Sequence, residues 1–128
     1  MLRALLLVGF GSFAGGISRY LTNIAAQKYF FSAFPVGTFI ANILGCFLIG
    51  VFFALSERSN AISPEWRLFL TTGFCGGYTT FSTFSMESLN LLRSKEYFFF
   101  SLNLSASIVL GLMATFGGIV IVRFLFSK

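Results

Sequence analysis

The chain has 128 residues, 56% hydrophobic and only 10% charged, with a mean hydropathy of +0.87; this excludes an ordinary soluble domain and places the chain among integral membrane proteins. It has no histidine and no aspartate, and its acids are Glu57, Glu65, Glu87 and Glu96, so metal-ligand clusters, carboxylate pairs and histidine-based triads are excluded and an enzyme is not expected. The net charge of +5 falls on loops and ends without a basic stripe interleaved with aromatics, which argues for anionic headgroups as partners and against nucleic acid.

A bilayer core of about 30 Å takes about 20 apolar residues of helix. Four segments meet that length, over about 4–26, 36–55, 66–92 and 97–126, within a single transmembrane domain spanning 1–128. The first is too long for the apolar core of a cleavable signal peptide. It contains GFGSFAGGISRY, in which Gly11, Gly15 and Gly16 have small-residue spacing for close helix contact. Arg19, deep in the same segment, must snorkel, pair or face water.

The second segment follows Pro35 and reads PVGTFIANILGCFLIG, with Thr38, Asn42, Gly45 and Cys46 at helical spacing on one face. An asparagine at membrane depth needs a partner, either a neighbouring helix or a solute path, and the spacing leaves both open. Cys46 and Cys75 have no CxxC spacing and read as packing residues. After the polar loop SERSNAISPE, Pro64 and Glu65 fit a helix start, and Trp66 fits an interfacial anchor.

The third segment holds GFCGGYTTFSTFS, from Gly73 to Ser85, where three glycines, five Ser/Thr residues and three phenylalanines crowd together. Irregular backbone at membrane depth is tolerated only where protein or a water-filled cavity covers it, so this stretch reads as an ion or solute site. The helix is expected to break at GFCGG and to resume as TTFSTFSMESLNLL, with Phe81 and Phe84 on one face and Thr80, Thr83 and Glu87 on a neighbouring stripe. In the fourth segment Asn103, Ser107 and Gly111 recur every four residues, a polar, narrow face that suits helix packing or a shared path.

Four spans put both termini on one side of the membrane. Arg3, Arg58, Arg67, Arg123 and Lys128 then oppose Lys28, Arg93 and Lys95, with Arg19 near the latter. That weak asymmetry allows insertion both ways, and two opposed copies would form an antiparallel dimer resembling the inverted repeats of larger transporters. Four helices each about 10 Å across leave little room for an enclosed path, which again calls for a second copy.

PVGTFIANILGCFLIG followed by GFCGGYTTFSTFSMES, with GGISRY upstream, resembles the Fluc/CrcB family of small fluoride channels over nearly the whole chain. The resemblance implies an all-α, multi-pass protein of the cell (inner) membrane. Its four transmembrane helices, the third broken near its middle, would form a dual-topology antiparallel homodimer that exports toxic fluoride passively through two pathways. It also implies a structural Na⁺ at the dimer interface, held by the backbone carbonyls of Gly76 and Thr79. Phe81, Phe84, Asn42 and Ser107 would line the ion path, with Thr38, Thr80 and Thr83 as further hydroxyls, Glu87 as the acid after TTFSTFS, and Arg19 in the vestibule. Asn103 departs from a frequent tyrosine of that family, and Gly111 stands where another hydroxyl can occur.

Two other readings compete. A proton-coupled small multidrug exporter needs a membrane-embedded carboxylate, which the first segment lacks. A non-transporting membrane assembly subunit explains small-residue faces but not hydroxyl and amide groups at similar depth on three segments.

Overall fold

The computed structural model describes residues 1–58 and 61–127. Lys128 and positions 59–60 of the polar loop lie outside the described residues. Among the described residues the regular structure is entirely helical: α1 (Leu2–Tyr29), α2 (Val36–Ser56), α3 (Pro64–Leu68), a π-helical stretch (Phe69–Cys75), α4 (Gly76–Tyr78), α5 (Phe81–Arg93) and α6 (Tyr97–Leu125). Three of these, α1, α2 and α6, are long and apolar enough to cross a membrane unaided. The third apolar segment of the sequence is divided, and its parts α3 to α5 reach that length only together.

Local chemistry sets the boundaries. Ser63 caps α3 by accepting the amide of Trp66 at 3.2 Å, with Pro64 in the first turn and Glu65 beside the positive helix end. Thr80 caps α5 in the same way, accepting the amide of Thr83 at 3.2 Å. At the far end of α5 the amides of Lys95 and Glu96 close back onto the carbonyls of Leu92 and Leu91. Lys95 takes the left-handed conformation, φ 60°, that this closure requires and that glycine usually supplies.

The break does not fall where GFCGG predicts it. Gly73, Phe74 and Cys75 stay helical within the π turn, Gly76 and Gly77 continue into α4, and the chain becomes extended only at Thr79 (ψ 157°) and Thr80 (φ −151°). Glycine serves instead for contact with α1. A side chain at Gly11 would lie 2.5 Å from the Phe69 carbonyl oxygen and 2.8 Å from the Cα of Gly73, and one at Gly77 would lie 2.6 Å from the Ser12 carbonyl oxygen. The two backbones therefore touch, as small-residue faces permit in lipid. On the other side α2 packs along α6, where a side chain on Gly118 would collide with the backbone of α2. The break is thus packed against α1 and flanked by α2.

Candidate ion site

Breaking a helix releases amides and carbonyls that must find partners where there is no water. The amide of Thr80 donates to Asn42 Oδ1 at 2.8 Å, and Asn42 Nδ2 donates back to the Thr80 carbonyl at 3.1 Å. Asn42 is therefore a two-point clamp from α2 onto the break. The Cys75 carbonyl accepts both the amide of Thr79, at 3.0 Å, and its hydroxyl, at 2.9 Å. From α1, Arg19 Nε donates to the Gly77 carbonyl at 3.2 Å. Gly76, Tyr78 and Thr79 are left with carbonyls that no described hydrogen bond reaches.

In front of the break lies an open cavity of about 460 Å³. Asn42, Gly76, Thr79, Thr80, Phe81, Phe84 and Ser107 all line it, together with both cysteines. Of these three residues, Gly76 and Thr79 line the cavity and Tyr78 does not. The Phe81 and Phe84 rings stand 5.8 Å apart between centroids and are tilted by 47°. Phe81 is 78% exposed, so its ring projects from the protomer.

Ser107 continues a polar track away from the cavity. Its hydroxyl donates to Asn103 Oδ1 at 3.3 Å, and Asn103 Nδ2 donates to Ser88 Oγ at 3.0 Å. Asn103 is 1% exposed and has a partner on both its oxygen and its nitrogen, as a buried amide requires. Ser88 is the residue that the spacing argument misses. The signal for it was the need of Asn103 for a partner at depth; α5 packs beside α6 and brings Ser88 there.

A second cavity, of about 470 Å³, opens beyond the start of α2 and is polar: Asn23, Gln27, Glu87, Asn90, Ser94 and Glu96 line it. Glu87 faces this cavity on one side and the Thr38 hydroxyl on the other. One oxygen of Glu87 and the hydroxyl oxygen of Thr38 are buried and have no hydrogen-bond partner among the described residues. Thr83 lines neither cavity, and its amide, not its hydroxyl, takes part in the cap on Thr80. Arg19 also lines neither; its described contact is with the backbone of α4.

The cavity at the break gathers an amide, hydroxyl-bearing side chains and aromatic rings, groups suited to a small anion, beside two residues with free carbonyls suited to a hard cation; the second cavity adds the carboxylates of Glu87 and Glu96. Comparison with known proteins identifies the family. Residues 6–119 match the family model described as CrcB-like protein, Camphor Resistance (CrcB). A protein of Flavobacterium psychrophilum named fluoride-specific ion channel FluC is 45% identical over 122 residues, covering 95% of this chain and 98% of its own. Relatives with the same name from Phocaeicola vulgatus and Chlorobium luteolum are each 48% identical, over 92% and 91% of this chain and 97% and 90% of theirs. With its apolar helices, the chain is a multi-pass membrane protein. It belongs to the CrcB-like family.

Proposed function

We propose that the chain is a fluoride-selective channel that lets toxic fluoride leave the cytoplasm passively across the inner membrane. The observation that carries this reading is the lining of the cavity at the break, where Asn42, Ser107, Phe81 and Phe84 meet in one space. Fluoride is small and strongly hydrated, so a pathway must replace its water with several donors, none strong enough to trap it. Asn42 uses one N–H on Thr80 and keeps a second for the ion. Ring edges carry positive potential and faces negative, so the tilted pair favours passage along its edges.

The working unit in this reading is an antiparallel homodimer with two pathways. The exposure of Phe81 supports it, because a pathway aromatic bare on one protomer needs a neighbour to complete the wall. The free carbonyls of Gly76 and Thr79 from both copies fit a Na⁺ on the dimer axis. When bound, that ion supplies positive charge at midplane and ties the two broken helices together. Everything else in the pathway is the chain's own: Asn42 holds the break open, Thr80 starts α5 at the angle that aims Phe81, and Glu87 with Thr38 marks the way out to the polar mouth.

Liposomes containing the purified protein and loaded with fluoride are expected to release it rapidly and electrically with no proton gradient. Chloride-loaded liposomes are expected to stay full. Absent fluoride release, or equal release of chloride, overturns the channel reading, and release that requires a proton gradient points to a coupled exporter.

A further inference from the structure

The cation seat proposed above depends on which carbonyls of the break remain free, and that choice is made by donors on the neighbouring helices. Five carbonyls from Gly76 to Thr80 lie at or beside the break. Asn42 takes that of Thr80, and Arg19 takes that of Gly77. Gly76 and Gly77 are adjacent on one short turn, so their carbonyls lie about 100° apart around the axis of α4 and face different neighbours. A side chain on Gly76 would find only Thr71 O, at 3.9 Å, whereas one on Gly77 would meet the backbone of α1, so α4 is packed on its Gly77 side and open on its Gly76 side.

We infer that Arg19 is a positioning residue for the cation seat: by holding the Gly77 carbonyl toward α1 it fixes the rotation of α4 and leaves the Gly76 carbonyl facing the dimer axis. The chemistry fits the task. Nε is one donor of a planar fork on a side chain that stays charged, and a charge-assisted hydrogen bond is about twice as strong as a neutral one. Among the described residues no carboxylate lies within ion-pair distance of Arg19, so the Gly77 carbonyl is its described partner. Two further contacts hold the same register, Thr22 Oγ1 with the Tyr78 hydroxyl at 2.9 Å and Ser12 Oγ to the Gly73 carbonyl at 3.4 Å. Arg19 is the one of the three that reaches a carbonyl within α4 itself.

The inference rests on the cation reading, and one titration separates the two. The full-length protein, wild type and Arg19→Met, is prepared in detergent in graded NaCl with choline replacing Na⁺, and the dimer fraction is read by cross-linking. Fluoride release is measured separately. The wild type is expected to lose its dimer as Na⁺ is withdrawn, and Arg19→Met to need about tenfold more Na⁺ for the same dimer fraction, the loss of one charge-assisted hydrogen bond. Its preference for Na⁺ over K⁺ should fall as well, while chloride stays excluded because Asn42, Phe81 and Phe84 are untouched. An unchanged Na⁺ midpoint with reduced flux overturns the inference and makes Arg19 a group that acts on the anion alone. A wild type indifferent to Na⁺ removes the cation reading itself. If Arg19→Met yields no dimer at any Na⁺ concentration, Arg19→Gln decides: its shorter, neutral donor should raise the midpoint several-fold, and a wild-type midpoint there also overturns the inference.

Discussion

Asn42 and Phe81 stand side by side in the same cavity and differ in what their loss should do. Asn42→Asp keeps an acceptor for the Thr80 amide but removes the donor to its carbonyl, leaving a part-buried polar group unpaired at a cost of about 1 kcal/mol. Fluoride flux should vanish and the thermal unfolding midpoint should fall together. Phe81→Ile should also abolish flux, yet a ring 78% exposed on the protomer contributes little to its packing, so the protomer's helix content and unfolding are expected to stay unchanged. Normal conduction by either variant would mean the path runs elsewhere. That Asn42 needs a partner was legible in the sequence from polarity at depth alone. Which partner was not legible, because an amide recognises a free backbone N–H and C=O as readily as an ion, and only the position of the break decides that both are present.

At the scale of elements, the position of the break is where composition and geometry part. Glycine marks a weak helix, and on that basis GFCGG was the expected interruption; in the fold those glycines stay helical, Gly73 and Gly77 are consumed by contact with α1, and Thr79 and Thr80 carry the extended turn. β-branched residues tolerate extended backbone, and Thr80 gains a cap by adopting it. The four-segment layout was legible because hydropathy depends on length and composition, whereas helix-to-helix contact depends on faces that only the packed partner defines. Gly77→Ala tests the point: its methyl would meet the Ser12 carbonyl oxygen at 2.6 Å, so α1 and α4 must separate, at about 1–3 kcal/mol of stability. Lys95→Gly should act in the opposite direction. Relieving a left-handed lysine at the end of α5 is expected to raise stability by about 0.5–1 kcal/mol, with flux unaltered, as read by thermal unfolding and liposome release.

The molecule as a whole poses the question of what lies in front of the break, and adjacent glycines give a way to ask it. Within one protomer, a side chain at Gly77 is blocked by α1, but one at Gly76 has open space at the edge of the cavity that Gly76 lines. If two opposed copies meet there, the space at Gly76 belongs to the partner's break. Gly76→Val should then leave the helix content of the protomer intact, by circular dichroism, while the dimer fraction in cross-linking falls at least about tenfold, the consequence of about 1–3 kcal/mol of overpacking at the axis. Flux should be lost with the dimer, because Phe81 is left without the surface that completes its pathway. Gly77→Val is the internal control, since its clash lies inside the protomer and should cost folding before assembly. A Gly76→Val protein that still dimerises and conducts would place the two-fold axis away from the break, and the carbonyls of Gly76 and Thr79 would then face lipid or water with no second pair to complete a seat.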